Sequence, residues 1–177
     1  MILLDTVVLS ELRKREASAE VVRWLTGFRD SDLFLSVVSI CEIERGIEKK
    51  RKSDPVFVES LTQWIEDLLR LYGDRVLPVT PAVSRHWGIL SARLGNDSTD
   101  LLIAATALTH GLQVATRNIQ HFASTGVGVI NPFDDGRIII EPIRTAEHDV
   151  DQLLSGITPE NLHTEVDFGA PVGKEAE

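Results

Sequence analysis

The sequence predicts an α/β fold: a parallel sheet covered by helices on both faces. Two observations carry this. Five short apolar runs recur along the first 133 residues, as strands buried on both faces do. Helix signals fill the intervals, and strands alternating with helices form parallel sheets through right-handed crossovers.

In chain order, the first run is Ile2–Leu4, and Asp5 follows it directly. The second run covers 33–35. Ser39 and Glu42 then stand at capping-box spacing, with Ser39 as the cap of the next helix. Asp54-Pro55 is an N-cap followed by proline at the first helical position, and Gly73 marks that helix's end. Within it, Leu61, Ile65, Leu68, Leu69 and Tyr72 share one face. Runs at 76–79, 112–115 and 127–130 are the remaining strands. Thr80-Pro81 opens another helix. Ser98 or Thr99 opens a third, which runs through Leu102, Ile103 and Ala107 to Gly111. After a turn-forming stretch from Asn131 to Gly136, residues 137–141 read as one more strand. Residues 147–154 read as a short helix and 158–177 as an extended segment.

A chain of 177 residues is long enough for one cored domain plus an appendage. Its 43% hydrophobic and 25% charged residues exclude a disordered chain, a collagen and a coiled coil. No apolar run approaches the ~18 residues of a membrane span, and no membrane association is expected. The opening MILLDT is too short, and lacks the preceding basic region, to read as a signal peptide. A cytoplasmic location is expected, and the single cysteine, Cys41, suits a reducing compartment.

The net charge of −9 is unevenly placed. Residues 134–177 hold 11 acids and 3 bases, whereas residues 1–133 hold 16 acids and 15 bases. The nearly neutral first part is thus open to nucleic acid, and the acidity belongs to the tail. The division predicts a domain over 1–133 and an arm over 134–177.

Four residues could carry chemistry. Asp5 ends the first strand, where parallel sheets place their sites, although a helix-capping role is equally ordinary. Glu42 alone reads as a capping-box partner, and Glu44 as solvent-facing. Asp100 sits in a first helical turn, where the helix dipole favours an acid without any chemistry. Asn118 follows the strand at 112–115. Together, three carboxylates and an amide form a hard oxygen set suited to Mg²⁺ or Mn²⁺ and unsuited to zinc. Such a site polarises a phosphodiester and acidifies a bound water. Cys41 reads as inert packing. The five histidines, including His121, show no ligand spacing. Gly126 and Gly128 precede no helix and cradle no phosphate. Trp24, Trp64 and Trp87 read as core or dimer-interface residues.

The segments MILLDTVVLSELRK, LFLSVVSICEIERGI, STDLLIAATALTHGL, VATRNIQHF and VGVINPF resemble, in order, the motifs of VapC-type PIN-domain ribonuclease toxins. The resemblance covers residues 1–133. It implies a PIN-like parallel sheet flanked by helices, a homodimer, and Mg²⁺- or Mn²⁺-dependent RNA cleavage inhibited by an antitoxin, as in type II toxin–antitoxin systems. By motif position, Asp5, Glu42 and Asp100 match the family's acidic residues. Asn118 stands where some members have Asp, and Val7 where many have Asn. Arg13, Lys14, Arg15 and the basic run at 49–52 are candidates for RNA-backbone contact.

The tail segments GRIIIEPIR and GITPENLHTEVDFGAPVGKE resemble the C-terminal part of AbrB/MazE-type antitoxins. In that family this part wraps the toxin. The strands that bind DNA there are missing here, so DNA binding by the arm alone is not expected. Leu153, Leu154, Leu162, Val166 and Phe168, interspersed with acids, are its candidate docking residues. The resemblances together imply an endoribonuclease restrained by its own arm. The alternative is a catalytically impaired PIN-like module with a binding or regulatory role, which Val7 and Asn118 would favour.

Overall fold

A computed structural model describes residues 1–134 and the backbone of 138–140. The strands are β1 (Ile2–Leu4), β2 (Leu33–Ser36), β3 (Val76–Leu77), β4 (Gln113–Ala115), β5 (Val129–Ile130) and β6 (Ile138–Ile140). The helices are α1 (Thr6–Leu12), α2 (Ala19–Leu25), α3 (Val37–Lys50), α4 (Pro55–Tyr72), α5 (Pro81–Leu94), α6 (Thr99–Thr109) and α7 (Ile119–Phe122). The sheet order is β3-β2-β1-β4-β5-β6, with the first five strands parallel and β6 antiparallel to β5. This is the α/β architecture expected. The strand expected at 137–141 is present as Ile138–Ile140 and pairs with the edge of this sheet.

Both sheet faces are covered, and β1 shows how. Alternate strand residues point to opposite faces. Ile2 and Leu4 enter a core with α1–α4 residues such as Val8, Val21, Ile47 and Ile65, whereas Leu3 enters another with Leu90, Ile103 and Phe122. Wholly apolar runs are therefore what these strands require.

The helix starts follow local chemistry. Asp54, Thr80 and Ser98 each cap their helix by accepting from a backbone N–H three residues on. Pro55 and Pro81 occupy first helical positions, and Gly73 closes α4 at φ 50°, a backbone state that favours glycine.

Two expectations are corrected. The cap of α3 is Ser36, whose hydroxyl accepts from the Val38 N–H at 3.1 Å. Ser39 lies inside the helix, and its Oγ is buried with no hydrogen-bond partner among the described residues. Glu42 is therefore well past the first turn and caps nothing. Cys41, read as packing, is exposed because it falls on the outer side of α3. Among the described residues no helix is long and apolar enough to cross a membrane. The helix expected at 147–154, the extended segment 158–177 and the arm residues Leu153, Leu154, Leu162, Val166 and Phe168 lie outside the described residues.

Candidate functional site

The strand order reverses between β1 and β4. From β1 the chain steps outward through β2 and β3, then returns to place β4 on the other side of β1. A crevice opens beyond the strand ends at such a switch point. Asp5 stands at the end of β1, and its backbone N–H donates to the Ala115 carbonyl at 3.0 Å, continuing the β1–β4 ladder by one residue. Thr116 stands at the matching end of β4.

Asp5 is buried, at 3% exposure. One carboxylate oxygen accepts from the Thr6 N–H at 2.7 Å and the other from the Thr116 hydroxyl at 2.6 Å. The side chain thus does cap α1, and the expected capping role holds without excluding a functional one. Burial pushes its pKa from 3.8 up to about 6, with the negative charges of Asp100 and Glu42 adding to the rise against the two hydrogen bonds.

Glu42 comes from α3. It accepts from the Thr6 hydroxyl at 2.5 Å and from the Thr99 hydroxyl at 2.6 Å. Asp100 comes from the first turn of α6, and one of its oxygens pairs with His121 Nδ1 at 2.8 Å. The exposed Asn118 joins by its backbone: its N–H donates to Thr116 Oγ1 at 2.9 Å, and Thr116 donates onward to Asp5. The three acids are thus near enough for Asp5 to feel the other two. Among the described residues, however, no three Asp, Glu, His or Cys side chains close into a preformed metal cage.

Four residues at this site were not singled out by sequence reasoning: Thr6, Thr99, Thr116 and His121. The first two have a visible signal, a hydroxyl next to a candidate acid, but each serves Glu42, which is remote in sequence. His121 lacks metal-ligand spacing because its partner lies on a different helix.

The basic candidates separate. Arg13 lies over the Phe57 ring at 4.7 Å and, with Lys50, Glu42 and Trp64, lines a cavity of about 290 Å³. Lys14 is paired with Glu11 at 2.6 Å, and Arg15 is exposed.

The raised pKa has a consequence for stability. The folded state holds the Asp5 proton more tightly than the unfolded chain, so stability falls as pH rises from about 4 to about 6. A two-unit shift corresponds to about 3 kcal/mol as an upper bound. In metal-free buffer, Asp5→Asn is expected to remove this pH-dependent loss. Urea denaturation of both proteins at pH 4.5 and 7.5 checks it, and parallel pH profiles would contradict it.

Comparison with known proteins identifies the family. A PIN domain matches residues 2–127. Plasmid stability protein StbB of Pseudomonas syringae pv. tomato is 35% identical over 144 residues, which span 76% of this chain and 99% of that protein. VapC ribonuclease Y4jK of Sinorhizobium fredii is 34% identical over 143 residues, again 76% of this chain and 99% of that protein. The crystal structure of FitAcB from Neisseria gonorrhoeae superposes with a TM-score of 0.63 at 33% identity, covering 76% of this chain and 99% of that one. Separately, 42 residues, 23% of this chain, are 48% identical to antitoxin MazE of Escherichia coli O157:H7 and cover 51% of that protein. With a PIN-domain match over residues 2–127 and relatives matched over nearly their whole length, the chain belongs to the PIN-domain family.

Proposed function

We propose that the protein is a metal-dependent endoribonuclease toxin of a type II toxin–antitoxin system, restrained by an antitoxin-like arm over 134–177. The observation that carries this is the buried carboxylate of Asp5, facing two further carboxylates at the switch point. The relatives named as VapC ribonucleases support RNA as substrate. The toxin FitB among its relatives and the FitAB complex among its structural neighbours support an antitoxin partner, and the MazE match supports the arm. A homodimer belongs to the same reading, and the exposed apolar side chains Val56, Leu71 and Ile89 offer contact surface for it. So does a cytoplasmic location.

The residues fit a hard divalent cation. Their donors are all oxygen, and a positive charge between the acids would offset both the burial of the Asp5 carboxylate and the lesser repulsion from Asp100 and Glu42. Asp5, Glu42 and Asp100 would hold the ion, with Asn118 offering a neutral oxygen at the same edge. When bound, Mg²⁺ or Mn²⁺ supplies a polarised phosphodiester and an acidified water. The chain's own residues do the positioning. Thr116 fixes Asp5, Thr6 and Thr99 fix Glu42, and a carboxylate retains spare lone pairs after accepting such bonds. Arg13 and Lys50 attract backbone phosphates toward Glu42, with Lys14 and Arg15 adjoining.

Thermal unfolding in millimolar Mn²⁺ tests the reading. Tm is expected to rise for the full chain, and the rise to disappear in Asp5→Asn. An unchanged Tm for the full chain would favour the catalytically impaired regulatory module.

A further inference from the structure

The carboxylates adjoin two cavities that share no lining residue. One, already described, is lined by Glu42, Arg13 and Lys50. The other, of about 400 Å³, lies between the α5–α6 connection and α7, with Asp100 and His121 on its wall. Its chemistry differs from that of the first. No lysine or arginine lines it, so it offers little to a phosphate. Leu94 and Leu101 give it an apolar surface, and Asn96 and Gln120 bring two side-chain amides. The Asn96 carbonyl oxygen accepts from the Ser98 N–H at 3.2 Å, leaving the amide nitrogen to donate. Among the described residues no hydrogen bond engages the Gln120 amide.

An apolar surface with amide donors and acceptors suits a flat, neutral, hydrogen-bonding ring. We propose that this cavity is a nucleobase subsite: it takes one base of the RNA next to the scissile phosphodiester and reads its edge through Asn96 and Gln120. Single-stranded RNA is read in this way, by splayed bases held on hydrophobic or planar surfaces and hydrogen-bonded on their edges. The position follows from Asp100, which belongs both to the acid cluster and to the cavity wall. A phosphodiester at the acids places a neighbouring base at the cavity, while the chain's other direction runs toward Arg13 and Lys50. The proposal rests on the ribonuclease reading and adds a source of sequence selectivity to it.

The test uses the full chain with Mn²⁺ and a pool of RNA oligonucleotides randomised around a central segment, with cut sites read by sequencing. Slow cleavage lengthens the assay without erasing a base preference. The expected result is one position adjacent to the cut with a strong base preference. Asn96→Ala and Gln120→Ala should each weaken that preference by about tenfold or more. Leu94→Trp, which fills the cavity, should abolish the preference. A wild-type profile flat at every position, or the same preference in all three variants, would overturn the subsite while leaving the nuclease standing. Folded protein that cuts none of the RNAs would overturn both.

Discussion

Asp5→Asn is expected to lower RNA cleavage by about a thousandfold or more while the protein stays folded. The substitution preserves shape and removes charge. The Asn oxygen still accepts from the Thr6 N–H, so the start of α1 is retained. What disappears is the buried negative charge at the strand switch, which Glu42 and Asp100 cannot replace because each is held elsewhere, by Thr6 and Thr99 or by His121. A destabilised enzyme is not an alternative explanation, since the same substitution relieves the cost of an ionised Asp5 at neutral pH. Cleavage of a fluorescent RNA, measured beside a urea midpoint for both proteins, checks the two together. Wild-type rates in a folded variant would remove Asp5 from the site.

Removing the arm is expected to raise cleavage. Residues 144–177 hold 8 acids and 2 bases, and in the proposed reading their apolar residues dock while their acids compete with RNA phosphates. A short tether gives an effective concentration of roughly millimolar; against a site of about ten micromolar affinity, about one molecule in a hundred stays open. A gain of about a hundredfold is then the expected scale. The strand β6 makes 133 a poor place to cut, since Ile138–Ile140 completes the sheet edge. Residues 1–143 keep that strand and are the right comparison with the full chain at equal Mn²⁺ and equal folded fraction. Added salt should narrow the difference by screening the arm's charges. A rate unchanged by truncation would reduce the arm to an extension or a brace.

Much of this architecture was legible because its causes are local. Strands buried on both faces need continuous apolar runs, and Asp54-Pro55 and Thr80-Pro81 specify helix starts within two residues. Asp5 was legible as a strand-end acid for the same reason. Ser36 was missed because two serines stand three apart, and capping-box spacing favoured Ser39. The end of β2 decided for Ser36 instead, which put Glu42 beyond any capping role. The threonine contacts were not legible, because the bonds to Glu42 and Asp5 join residues 36, 57 and 111 positions apart. His121 meets Asp100 across 21 positions, on a helix whose placement depends on β4 and β5. Periodicity and capping reveal elements; which side chains meet between elements is settled only by packing.

The central position of β1 also sets the timing of the site during synthesis. Asp5 leaves the ribosome well before the strand that seats it on one side and the hydroxyl that fixes its carboxylate, which arrive with β4 and Thr116. A nascent chain ending before Thr116 therefore carries all three acids with no completed crevice. At about 5–20 residues per second, the region from Thr116 through the acidic segment follows within seconds of the crevice closing. With β1 waiting for a later strand to become competent, the interval between a finished site and the emergence of the proposed restraining arm is, on that reading, short. If the proposed arm restrains the site, translation order limits how long an unrestrained site exists on any single polypeptide.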